Sequence, residues 1–85
     1  MLLLRMTQYF FDFRSSGVVS TDDEGQELPD VEAAHREAVE ALADALQDIV
    51  LEGGVDQRVI IDVRDDFGPV LQVTAVLGSK LLRRQ

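Results

Sequence analysis

Apolar and polar residues alternate along three stretches of this chain and recur with a helical period along a fourth. Thr7 to Arg14 places Tyr9, Phe11 and Phe13 on one side, and Gln8, Phe10, Asp12 and Arg14 on the other. A period of two marks a strand, here with an aromatic core face. Ser15-Ser16-Gly17 predicts a turn, and Val18 to Thr21 a short second strand that closes a hairpin. Asp22-Asp23-Glu24-Gly25 follows as an exposed turn.

The period then lengthens. At about 100° per residue, Val31, His35, Ala38, Leu42, Ala45, Leu46 and Ile49 share one face, with Glu37, Glu40, Asp44 and Gln47 opposite. Asp30, after Pro29, is a capping residue, and Gly53-Gly54 is a stop signal, so a helix is expected from Val31 to Glu52. Alternation returns at Arg58 to Arg64, with Val59, Ile61 and Val63 on one side and Ile60 and Asp62 on the other. Asp65-Asp66-Phe67-Gly68 predicts a turn, Pro69 a strand start, and Val70 to Leu77 a last strand. The pattern is α+β, ordered ββαββ: a small four-stranded, mainly antiparallel sheet with one long helix packed on one face. It leaves the strand order open. Residues 1–6 read as an N-terminal extension, 7–77 as a single domain and 78–85 as a basic C-terminal tail.

Composition narrows the class. At 85 residues there is room for one domain, and with no cysteine it has neither disulfide nor thiolate metal site to staple it. A hydrophobic fraction of 46% suits a globular protein. No run approaches the roughly 18 apolar residues of a membrane span, and Met1-Leu2-Leu3-Leu4-Arg5 lacks the length and charge order of a signal peptide, so a cytoplasmic location is expected. The formal charge is −8, and three of the eight basic residues (Lys80, Arg83 and Arg84) crowd the tail. So acidic a body repels phosphate, and neither nucleic acid nor membrane is an expected partner.

Few residues suggest chemistry. The acidic turn 22–27 resembles a cation loop, but aligning Gly25 with the glycine of a calcium-binding loop puts Ser20 and Val31 where Asp and Glu are required. His35, the one histidine, would need Asp12 or Asp62 as a partner for acid–base work. The serines have no nucleophile context, the glycines no phosphate-binding spacing, and no cofactor is implied. Two surfaces remain. Glu40, Asp44, Asp48 and Glu52 repeat at helical spacing, and with Glu37 they offer a basic partner an acidic stripe. The second sheet face mixes Phe10, Val19, Ile60, Val70 and Val76 with Asp12, Asp62, Gln72 and Thr74. Apolar groups of this kind mark an interface, and pairing through that face or an edge strand would make a two-fold dimer.

Several segments together resemble a known family. They are Tyr9-Phe10-Phe11-Asp12, Asp23-Glu24-Gly25-Gln26-Glu27-Leu28-Pro29-Asp30, Glu32-Ala33-Ala34, Glu37-Ala38, and Ile61-Asp62-Val63-Arg64-Asp65 with Gly68 and Leu71. The pattern is similar to that of short alphaproteobacterial, rhizobial-type proteins catalogued as domain of unknown function 6894. It covers roughly residues 7 to 77, and the acidic-Gly-x-Glu-Leu-Pro-Asp segment is its most specific part. That family often has Arg at the position of His35, so the resemblance gives His35 no role. It implies no cofactor and no catalytic residue. Its pattern starts soon after the initiator, which implies that Met1 to Arg5 lie outside the core and that Met6 is an alternative start. The expectation is a non-catalytic protein–protein interaction or accessory domain, forming a homodimer and open to a basic protein partner. The alternative is a small-ligand or divalent-cation-binding module using turn 22–27.

Overall fold

The computed structural model describes residues 5–54 and 57–83. In chain order the elements are β1 (Thr7–Ser15), β2 (Val18–Ser20), β3 (Gln26–Leu28), α1 (Val31–Leu51), β4 (Gln57–Asp65) and β5 (Gly68–Leu77). The sheet is antiparallel and ordered β2-β1-β4-β5, with β3 also on β1. It therefore has five strands, where the pattern predicted four. β3 escaped the reading because Gln-Glu-Leu is too short to alternate; its pairing with Thr7–Tyr9 makes it a strand.

The first hairpin turns through Ser16 and Gly17, both at positive φ (46° and 81°), as a two-residue turn matching strand twist requires. β2 and β3 are two pieces of one returning strand. Between the pairs Phe13–Ser20 and Tyr9–Gln26 the returning chain is two residues longer than β1, and loop 21–25 takes up the excess. A bulge between Val63 and Arg64 brings Pro69 opposite Arg64 and Leu71 opposite Val63, leaving Val70 as the extra residue.

Helix α1 is capped at both ends. Asp30 Oδ1 accepts from the Ala33 N–H at 2.8 Å. At the other end the Gly53 and Gly54 N–H groups donate to the Val50 and Ile49 carbonyls, with Gly53 at positive φ, a Schellman closure. The core gathers Tyr9, Ala34, Ala38, Leu42, Val59, Ile61, Val63 and Val73, with Phe11, Phe13, Leu46 and Ile49 packed at its margin. Val31 (49% exposed) and His35 depart from the predicted buried face. α1 rests mainly on β4 and β5 and less on β3, and in its first turn the small Ala33 and Ala34 take the buried positions in place of Val31 and His35. Among the described residues no helix is long and apolar enough to cross a membrane.

Candidate functional site: the open face of the sheet

With α1 on one face, the other carries Phe10, Asp12 and Arg14 from β1, Ile60, Asp62 and Arg64 from β4, and Gln72, Thr74 and Val76 from β5. Antiparallel register sets Asp12 directly opposite Asp62, where like charges repel. Each strand answers with an arginine two residues on. Arg64 Nε donates to Asp12 Oδ2 at 2.8 Å, and Arg14 Nε to Asp62 Oδ2 at 2.8 Å. Asp-x-Arg on both strands thus becomes two diagonal ion pairs. Gln72 Nε2 adds a bond to Asp62 Oδ1 at 2.6 Å. The Arg64 guanidinium also lies 4.5 Å from the Phe10 ring centroid, a cation–π geometry, and donates to the Asp22 carbonyl at 2.8 Å.

Asp22 closes the network. Its carboxylate accepts from the N–H groups of Phe11, Glu24 and Gly25, each at 3.0 Å, and its own N–H donates to Asp12 Oδ1 at 2.9 Å. The Phe11 N–H would otherwise be an unpaired ladder donor where β2 and β3 part. Gly25 makes the loop possible. It sits at φ 74°, and a Cβ there would lie 2.9 Å from Phe10 Cε1.

These contacts set the acidities. The bond from Arg64 holds the Asp12 carboxyl below its ordinary value, and Arg14 with Gln72 does the same for Asp62. Burial pushes Asp22 upward, but the bonds from Gly25, Phe11 and Glu24 outweigh it, and the net shift is down. Arg64 is pushed up by Asp12. The face therefore keeps its charges fixed. Beside them lies a shallow depression of about 440 Å³, bounded by Asp12, Asp62, Arg64, Pro69, Val70 and Gln72.

The residues singled out from sequence fall in two places. Phe10 and Ile60 are half-buried on the open face, and Val70, in the bulge, lines the depression and also packs against the core. Glu40, Asp44 and Asp48 are exposed on α1, on the other side of the sheet, while Glu37 is half-buried. His35 is exposed on that helix, and Asp12 and Asp62, its expected partners, lie across the sheet bound to arginines. The acidic turn is not wholly exposed as expected, because Asp22 turns inward. Among the described residues, no group of three or more His, Cys, Asp or Glu side chains is arranged to hold a metal ion. Arg14, Asp22 and Arg64 were missed as site residues. The repeated Asp-x-Arg was a legible signal for the arginines; Asp22 had none beyond Gly25 three residues later.

The family described as "Domain of unknown function (DUF6894)" matches residues 8–76. The chain belongs to the DUF6894 family. The match takes in both Asp-x-Arg strands, the Asp22 loop and the acidic helix of this DUF6894 domain. No match was found among curated proteins or among solved structures.

Proposed function

We propose that this DUF6894 domain is a non-catalytic protein–protein interaction or accessory module, and that the open sheet face receives its partner. One observation carries the reading: Asp12, Arg14, Asp62 and Arg64 on that face are bound to one another in two ion pairs, leaving a preformed surface. Arg64 over Phe10, with Val70 lining the adjoining depression and Ile60 farther along the same face opposite Arg14, supplies the arginine–aromatic and apolar mixture that interface centres favour. The inward turn of Asp22 speaks against the cation reading of turn 22–27, because its carboxylate already holds three backbone N–H groups.

The test is capture of partners on the tagged full chain from its native cells, followed by mass spectrometry. A stoichiometric protein lost with Ile60→Gln and kept with Glu40→Lys/Asp44→Lys/Asp48→Lys is the expected result. The reverse pattern would move the docking surface to the acidic helix and to a basic partner. Recovery of the chain free of any other protein would sink the open-face reading.

A further inference from the structure

We propose that β5 pairs antiparallel with β5 of a second copy of this chain, joining two sheets into one across a two-fold axis. The inference rests on the reading of the domain as an interaction module and names a partner at a different element.

The first argument is the edge itself. β5 runs for ten residues, and among the described residues only β4 pairs with it. A strand edge is a row of backbone donors and acceptors, and proteins blunt such edges with charge, breaks or proline. Here no ionised side chain occurs from Phe67 to Ser79, and Pro69 sits near the hairpin end, leaving 70–77 available. The other edge is blunted: β2 and β3 are three residues each, and Asp22 takes up the Phe11 N–H between them.

The second argument selects a second copy over a foreign strand. Two chains of charge −8 repel except where they meet at neutral surface, and β5 paired with itself opposes no like charges in any register. A basic partner would find counter-charges on Glu40, Asp44 and Asp48 instead. Geometry adds a second layer. α1 packs about equally on β4 and β5. With strands about 4.8 Å apart, a helix midway over that pair and its two-fold mate stand about 10 Å apart, the spacing at which helices pack. α1 runs in the direction of β1. Val39, Ala43 and Val50 share one flank of α1, beside the face that buries Ala38 and Leu42, and the usual right-handed crossover from β3 over β1 to β4 turns that flank toward β5. Val39 and Val50 are about half exposed. A two-fold contact would bury both flanks at once. The small core, whose largest fully buried side chains are Val59 and Val63, would gain by it.

The test is the solution mass of the full chain by light scattering. Wild type should have twice the chain mass of 9.4 kDa, and Thr74→Lys/Val76→Lys, on exposed β5 positions outside the core, should fall to 9.4 kDa with its circular dichroism unchanged. Val19→Lys, on the opposite edge, should leave the dimer intact. A wild type of single-chain mass, a double variant that stays dimeric, or a Val19→Lys that dissociates would each overturn the proposal. If the double variant does not fold, wild-type amide exchange decides. Slower exchange over 70–77 at high protein concentration is the expected result, and concentration-independent exchange the refuting one. A monomer that still captures its Ile60-dependent partner overturns the seam alone. A dimer that captures no other protein overturns the open-face reading alone.

Discussion

The two edges of this sheet are built in opposite ways. On one side the returning strand is split into β2 and β3, and loop 21–25 folds over the gap. There Asp22 receives three backbone N–H groups and ties the loop to Asp12 and, through its carbonyl, to Arg64. On the other side β5 is long, charge-free and bulged only near its hairpin. The broken edge satisfies its own backbone; the continuous one leaves that work to whatever strand meets it. A sheet this small directs where an added strand could pair by which edge it closes as much as by which it leaves open.

Acid is the broadest way to break the comparison. Asp12, Asp22 and Asp62 all titrate below the ordinary aspartate value of 3.8 in the folded chain. The unfolded chain therefore binds more protons, so their contribution is full above about pH 5 and is lost as pH falls through and below 3.8. Urea unfolding from pH 7 to pH 2 should show a plateau followed by an acid decline. A midpoint that rises on acidification would contradict the network.

Asp22→Ala isolates the closed edge. It orphans the Phe11 N–H and releases the loop, at a cost of about 1–3 kcal/mol. The variant should also lose part of the acid decline and all of the protection of the Phe11 amide. A change within the roughly 0.5 kcal/mol of an ordinary surface substitution would mean that the loop closes without Asp22.

The smallest effect belongs to the Arg14–Asp62 pair, whose side chains are 46% and 34% exposed. A double-mutant cycle with Arg14→Ala and Asp62→Asn should return a coupling below about 1 kcal/mol, weakening further with salt. A larger coupling would make the open face a principal source of stability.

Local signals settled a good deal of this fold. The aromatic alternation of Thr7 to Arg14, the Asp30 cap and Gly53-Gly54 stop, and the alternation around Val59, Ile61 and Val63 each name their element. Each works because the signal sits within one or two turns or a few residues of what it specifies. Val31 and His35 were misplaced for a complementary reason: helical period gives a stripe around the axis but not which side of each turn its neighbours cover, and in the first turn they cover Ala33 and Ala34. The open face was legible as a mixture of Phe10, Ile60 and carboxylates, yet not as a network.

What the sequence alone determined is the helix, four of the five strands, most of their faces and the acidic, cysteine-free character of the domain, because periodicity, caps and charge act locally. Only the tertiary structure decided the strand order, the split edge and the diagonal pairing of two Asp-x-Arg strands. Those depend on register between segments some fifty residues apart, such as Asp12 and Arg64. A one-residue slip would turn the same side chains to the other face.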